Sequence, residues 1–135
     1  MKHVTIPADK NKIQLGIAPI IGLLEDLEVD FKLLTKIEVA LDEVLTNIAL
    51  YAYKPEIGNV DIDYGIDELS RLLTIIISDE GKEFDPLATK DPDITLSEKD
   101  RKIGGLGIFI VKQVMDEVTY ERRNNKNILT LKKIV

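Results

Sequence analysis

The stretch KIGGLGIFIVKQVMDEVTYER, residues 102–122, carries more information about the fold than any other part of the chain. Apolar residues from Leu106 to Met115 recur at helical spacing, and glycines precede them. The alternating pattern of side chains from Val118 to Arg122 then predicts a strand. The sequence NNKN at 124–127 predicts a turn, which leads into a last strand over 128–135. We therefore expect a glycine-led helix followed by a β-hairpin.

The residues upstream of this stretch predict a strand at 2–7, helices at 11–27 and 31–53, strands at 60–66 and 72–77, and a long loop at 79–105. Asp30 is a good N-cap for the second helix, Pro19 should kink or restart the first, and Phe31 is expected in the core. The unbroken run of leucine and β-branched residues at 72–77 predicts a central, covered strand. Because strands come in pairs around few helices, we predict an α+β fold: a two-layer sandwich with a mixed, mostly antiparallel sheet and helices on one face.

Length and composition limit the classes of function. The 135 residues fit one domain, 1–135, and 44% apolar with 31% charged residues is typical of a globular protein. The net charge of −6 argues against a direct nucleic-acid partner and against binding to an anionic membrane. Cysteine is absent and His3 is the one histidine, which excludes thiol chemistry and a His-paired metal centre. No targeting or membrane-spanning segment is visible, so we expect a cytoplasmic protein.

Glu43 and Asn47 lie one helical turn apart in LDEVLTNIALYAY, on the edge of the apolar stripe of the second helix. A carboxylate beside a carboxamide can place a base next to a metal-ligating oxygen. Mg²⁺ suits this pair, because it takes oxygen ligands and shares them with substrate phosphates. The alternative interpretation is a solvated helix face that also carries Asp42, since polar pairs at this spacing are common.

Asp79 lies in SDEGKEFDP, residues 78–86, directly after the predicted central strand. Its carboxylate can accept a hydrogen bond from an exocyclic amine such as that of adenine. Gly81 allows either close approach of the backbone to a ligand or a positive φ angle. The alternative is a simple turn, because Asp-Glu-Gly is good turn chemistry.

Gly104, Gly105 and Gly107 open the helix that follows the long loop. Glycines there expose backbone N–H groups beside the positive end of the helix dipole, which makes an anion site. The pattern lacks the Lys-Ser or Lys-Thr of a Walker motif and does not follow a strand as a Rossmann fingerprint does. A flexible helix entry is the alternative.

The three motifs in this order resemble the ATP-binding fold of the gyrase, chaperone and histidine-kinase superfamily, the histidine-kinase-like ATPase fold. Within it, the chain looks most like the small anti-sigma-factor serine/threonine kinases of bacteria. The resemblance spans nearly the full chain and is carried by ALDEVLTNIALYAY (40–53), SDEGKEFDP (78–86) and KIGGLGIFIVKQVMDEVTYER (102–122).

The resemblance implies roles for the matching residues. Asn47 would ligate the Mg²⁺ that bridges the ATP phosphates, and Glu43 would be the general base. Asp79 would bind the adenine amine, with Gly81 beside the base. The phosphates would be contacted by Gly104, Gly105 and Gly107, and the γ-phosphate by Arg101 or Lys102 in an ATP lid at about 86–103.

The resemblance also implies a function and partners. The protein would be an ATP- and Mg²⁺-dependent kinase that phosphorylates a small antagonist, an anti-anti-sigma protein, in a partner-switching pathway. The free kinase would hold a sigma factor, and a homodimer is suggested by the resemblance alone.

Three positions depart from the pattern of the resembled family. Glu83 stands where a second glycine is common, Tyr51 where related kinases carry histidine, and Asn127 where the last strand often presents a threonine. These departures keep an alternative open: a catalytically silent ATP-binding module that regulates by partner binding only. A histidine-kinase ATPase domain detached from its phosphoacceptor ranks last, because no phosphoacceptor helix is visible.

Overall fold

The computed structural model of the protein describes residues 1–53, 56–88 and 105–135. The elements in these residues are β1 (Lys2–Pro7), α1 (Gln14–Asp26), α2 (Phe31–Tyr51), β2 (Asn59–Asp67), β3 (Leu72–Asp79), a 3₁₀ turn (Pro86–Ala88), α3 (Gly105–Val114), β4 (Glu117–Arg123) and β5 (Lys126–Ile134). Each helix and strand expected from the sequence is present, with small differences at its ends.

The five strands form one sheet in the order β1-β2-β3-β5-β4. Every pairing among these described strands is antiparallel, whereas the sequence led us to expect a mixed sheet. The reason lies in the last hairpin, because β5 returns between β3 and β4 and separates the two strands that run in the same direction. The α+β class is confirmed, and β3 is the central strand as predicted.

One face of the sheet carries the described helices. On β3, Leu73, Ile75 and Ile77 are buried in a core shared with all three helices, while Leu72 and Ile76 on the other face are half-buried. The expectation that this strand is covered therefore holds on one face only. A run of leucine and β-branched residues cannot distinguish a strand with both faces covered from a strand with one face partly exposed.

The two long helices follow their apolar stripes. Helix α1 runs without interruption through Pro19, so the predicted restart does not occur. Helix α2 begins at Asp30, whose side chain accepts a hydrogen bond from the Lys32 N–H at 3.1 Å, as an N-cap should. Phe31 is 80% exposed, so its predicted core position is wrong; the stripe from Leu34 onward does the burying. In the part of the chain that is described, no helix has the length and apolarity needed to cross a bilayer.

A two-residue turn at Asn124 and Asn125 joins β4 to β5. Both residues have positive φ angles, 54° and 61°, which matches the twist of a tight hairpin. We expected the turn to include Asn127, but this residue lies in β5, opposite Asp79 of β3, and is buried. The short turn therefore moves an amide side chain from the surface into the interior.

Candidate functional site

A cavity of about 460 Å³ lies between α2, the end of β3 and the start of α3. This volume is within the range of roughly 300–1,000 Å³ that is usual for small-molecule sites. Four of the residues to which the sequence assigns a role line the cavity, with at least one from each motif: Glu43, Asn47, Asp79 and Gly107. Motifs that are far apart in the chain therefore meet at one place.

The walls of the cavity are mostly apolar. They include side chains from the helices and from the sheet: Val44, Ile48, Ile77, Ile108, Val111 and Leu129. Polar groups are few and come from different elements, which is the usual composition of a site that binds a flat, partly apolar ligand.

Glu43 and Asn47 face α3 across a narrow gap. A Cβ atom placed on Gly107 would lie 2.6 Å from Glu43 Oε2 and 3.6 Å from Asn47 Nδ2, so no larger residue fits without a shift. Gly107 is in the first turn of α3, where backbone N–H groups have no intrahelical acceptor. Both polar side chains of α2 thus lie beside the positive end of a helix dipole.

Asp42, Glu43 and Asn47 are all half-buried, and they differ in whether they line the cavity. Asp42 does not line the cavity and accepts a hydrogen bond from Thr46 Oγ1 at 3.1 Å. Glu43 and Asn47 are half-buried and line it. The cavity therefore distinguishes the pair predicted from spacing from the adjacent Asp42.

Asp79 is 6% exposed and its two oxygens have different surroundings. Oδ1 accepts hydrogen bonds from the Gly81 N–H at 2.9 Å and from Asn127 Nδ2 at 3.0 Å. Among the described residues, Oδ2 has no hydrogen-bond partner. A buried carboxylate oxygen needs a donor, and a ligand in the cavity that Asp79 lines can supply one. The hydrogen bond from Gly81 to Oδ1 confirms the turn, while the binding of a ligand by Oδ2 stays a prediction.

Gly81 is required by packing rather than by a positive φ angle. A Cβ atom there would lie 2.5 Å from the carbonyl oxygen of Ala52, at the end of α2. The same carbonyl accepts the N–H of Lys82 at 3.2 Å. The loop after β3 therefore sits directly on the C-terminal end of α2.

We expect Gly81→Ala to lower the free energy of unfolding by about 1–3 kcal/mol, the usual cost of overpacking, because its neighbour is backbone and cannot swing away. Gly22→Ala is the matched control, since a Cβ atom in this part of α1 meets nothing within 4 Å. That control should stabilise the protein by up to about 1 kcal/mol, the helix preference of alanine. Urea unfolding measures both changes, and equal stability of the two variants would contradict the packing role.

The side chains of Tyr53 and Arg122 both form hydrogen bonds with the loop after β3. Tyr53 donates its hydroxyl proton to the Asn59 carbonyl at 2.7 Å and accepts the Glu80 N–H at 2.6 Å. Burial raises the pKa of the Tyr53 phenol, so the proton that this contact needs is retained at neutral pH. Arg122 Nη1 donates to the Gly81 carbonyl at 2.8 Å. The loop is thus held in place before any ligand binds.

Several predicted positions fall outside the described residues: Gly104, Arg101, Lys102 and the lid from 89 to 103. Of the predicted lid, the 3₁₀ turn is described, and Pro86 in it lines the cavity. Gly105 begins α3, one residue before the predicted helix start at Leu106.

Sequence reasoning missed Lys82 and Tyr120, which both line the cavity. Phe84 and Tyr51 line the cavity as well, and they are 60% and 46% exposed. Tyr120 could have been found from strand alternation, because it pairs with Leu129 on the helix-covered face. Glu83, which stands where a second glycine is common in the resembled family, is exposed and is not among the lining residues.

Comparison with known proteins assigns the class that this fold and cavity define. The family model of the histidine kinase-like ATPase domain matches residues 6–133, and the chain belongs to this family. The expected fold family is thereby confirmed, and the family assignment implies the use of ATP.

Individual relatives are more specific. The chain is 28% identical over 138 residues to serine-protein kinase RsbW of Staphylococcus epidermidis, an alignment that covers 98% of this chain and 86% of the relative. It is 30% identical over 139 residues to serine-protein kinase RsbW of Staphylococcus aureus strain MRSA252, with the same coverage of both chains. These relatives confirm the predicted class of enzyme, a protein serine/threonine kinase.

Proposed function

We propose that the protein is an ATP- and Mg²⁺-dependent serine/threonine kinase that phosphorylates a small antagonist protein and so acts as an anti-sigma-type regulator in a partner-switching pathway. The observation that carries this proposal is the meeting of Glu43, Asn47, Asp79 and Gly107 around one cavity. Each of these residues offers a different group to a nucleotide or to a phosphoryl transfer.

The base and the phosphates of ATP occupy different ends of the cavity in this proposal. The free oxygen of Asp79 accepts a hydrogen bond from the adenine amine, and the apolar walls cover the faces of the ring. The phosphates lie at the start of α3, where the backbone of Gly105 and Gly107 provides N–H groups. Gly104, which lies outside the described residues, is proposed as a further phosphate contact. The lid at 86–103, with Arg101 or Lys102, closes over the γ-phosphate.

The side chains present fit Mg²⁺ held together with a nucleotide. Among the described residues no three His, Cys, Asp or Glu side chains cluster as a metal site, so a cage made only of protein ligands is not available there. Mg²⁺ commonly uses one or two protein oxygens and completes its shell with phosphates and water, and the Asn47 amide oxygen suits that role. When bound, the ion supplies neutralisation of the charge on the phosphates.

Glu43 is the proposed general base. Its carboxylate lies beside the backbone of Gly107, close to where the phosphates are expected to bind. It accepts the proton of the acceptor hydroxyl while that oxygen bonds to the γ-phosphorus and ADP leaves with the bridging oxygen. Positioning and charge stabilisation supply most of the catalysis in reactions of this kind.

The partners and setting of the kinase belong to the same proposal. The phosphoacceptor is an anti-anti-sigma antagonist, a sigma factor is bound by the unoccupied kinase, and two copies form a homodimer. Residues 1–135 act as one domain, supported by the single hydrophobic core that the described residues share. The cytoplasm is the proposed location, because ATP is supplied there, and the net charge of −6 supports the absence of a direct nucleic-acid partner.

Incubation of the purified protein with γ-labelled ATP, Mg²⁺ and a candidate antagonist tests the proposal. We expect the label on the antagonist, and none on an antagonist whose acceptor serine is replaced by alanine. Binding of ATP without transfer to any candidate would instead support a catalytically silent module that regulates by partner binding.

A further inference from the structure

Asn127 and Asp79 are the two buried polar residues in the described parts of the chain, and they contact each other. They face each other across the β3–β5 pairing, on the side of the sheet that lines the cavity. Asn127 is 8% exposed, so its amide is nearly removed from water. A buried amide must find its hydrogen bonds within the protein or from a ligand.

All of the hydrogen-bonding capacity of this amide is used inside the protein. Asn127 Nδ2 donates to Asp79 Oδ1 at 3.0 Å and to the Lys82 carbonyl at 2.8 Å. Asn127 Oδ1 accepts the Phe84 N–H at 3.2 Å and the Tyr120 hydroxyl at 2.7 Å. An Asn side chain offers two donors and two acceptor lone pairs, so nothing remains for direct contact with a ligand.

The partners of Asn127 also fix which way its amide faces. Two donors, the Phe84 N–H and the Tyr120 hydroxyl, require an oxygen on their side, so the NH₂ group must face Asp79. Burial raises the pKa of the Tyr120 phenol, which keeps this hydroxyl a donor at neutral pH. The orientation of the amide is therefore determined by the hairpin and by the loop, independently of Asp79.

The fixed amide of Asn127 in turn restricts the orientation of the Asp79 carboxylate. With two donors on Oδ1, the carboxylate is held in one orientation, and Oδ2 is the oxygen that remains for the ligand. A fixed carboxylate oxygen accepts from the amine of a 6-aminopurine and repels the carbonyl of a 6-oxopurine. Selectivity of this kind is strong only where the buried group cannot turn away or find another partner.

We propose that Asn127 is a positioning residue that holds Asp79 in the orientation selective for 6-aminopurine nucleotides, an inference that rests on the proposed binding of ATP. Asn127 acts through Asp79 and touches no reacting atom. Its second function is to tie the loop at Lys82 and Phe84 to the sheet, which positions that wall of the cavity.

The test compares ATP with ITP, whose base carries a carbonyl in place of the amine. Asn127→Val removes every hydrogen bond of the side chain. Asn127→Thr introduces a side chain of nearly the same shape as valine, but with one hydroxyl that can donate to Asp79. We expect the parent to prefer ATP by about 10- to 100-fold, the value of one hydrogen bond to a charged group. Asn127→Val should lower this ratio about 10-fold, and Asn127→Thr should retain more of it.

The ratio distinguishes positioning from a merely structural role. A loosened cavity lowers the affinities for ATP and ITP in equal proportion, so an unchanged affinity ratio in Asn127→Val would overturn the inference. Identical ratios for the valine and threonine variants would also overturn it. In an Asp79→Asn background the Asn127→Val change should have no further effect on the ratio.

Tyr120→Phe tests the inference without removing Asn127, in case the valine variant fails to fold. It deletes the hydroxyl that orients the amide but keeps the ring, so the ATP to ITP ratio should fall by a smaller factor. A ratio equal to that of the parent would contradict the role of the hairpin. A parent that binds neither nucleotide would instead refute the proposed function itself.

Discussion

The Glu43→Gln variant is expected to bind ATP as the parent does and to transfer the phosphoryl group about 10²- to 10⁴-fold more slowly, the usual contribution of a general base. Glutamine has nearly the same shape and fits the same space beside Gly107. It cannot accept the proton of the acceptor hydroxyl. Single-turnover transfer to the antagonist, with calorimetric titration of ATP beside it, separates the two effects.

Asp42→Asn is the matched control for this variant. It removes the adjacent carboxylate of the same helix, which is held by Thr46 and does not line the cavity. Its transfer rate should stay within about threefold of the parent, because the side chain lies outside the cavity and asparagine can still accept the hydrogen bond from Thr46. Transfer by Glu43→Gln at the parental rate would show that another group is the base.

The Asn47→Ala variant is expected to lose the Mg²⁺-dependent part of ATP binding. Asn47 provides the one amide oxygen proposed as a metal ligand, and no cluster of three acidic or histidine side chains in the described residues can replace it. The affinities measured with and without Mg²⁺ should become equal. Calorimetric titration of ATP in magnesium buffer and in chelator measures the difference directly.

Asn47→Asp tests the same assignment from the opposite side. Aspartate keeps an oxygen at nearly the same place, so the dependence of ATP binding on Mg²⁺ should be retained. If Asn47→Ala kept the magnesium dependence of the parent, the ion would be held elsewhere and the assignment would be wrong.

Local chemistry explains why much of the fold could be predicted. The N-cap at Asp30, the apolar stripe of α2 and the alternation of β2 depend on residues close in sequence, and all appear in the structure. Phe31 was misplaced because helical spacing alone does not say where the first turn projects. The wholly antiparallel sheet was missed because it depends on β5 inserting between β3 and β4, a long-range choice.

The site was predictable to a similar extent. Spacing and residue type pointed to Glu43, Asn47 and Asp79, and the structure brings them to one cavity. Their meeting depends on how α2 and α3 pack on the sheet, which no single motif encodes. The reason for Gly81 is likewise tertiary, because the atom that excludes a Cβ belongs to Ala52 of a distant segment.

The roles of Asn127 and Tyr120 could be inferred only from the strand register. A hairpin shifted by one residue would turn both side chains to the opposite face of the sheet. The register is set by the two positive φ angles at Asn124 and Asn125, which the sequence suggests but does not position to the residue. Their contacts with the loop after β3 could therefore be described only once the structure was known.

Calorimetric titration of the unmodified protein with ATP, in magnesium buffer and in chelator, tests the central claim most directly. We expect one ATP to bind per chain with Mg²⁺ present, and a clear loss of affinity without it. Absence of any binding heat with Mg²⁺, together with no rise in thermal stability at millimolar ATP, would contradict it, because a ligand that binds the folded state must stabilise it.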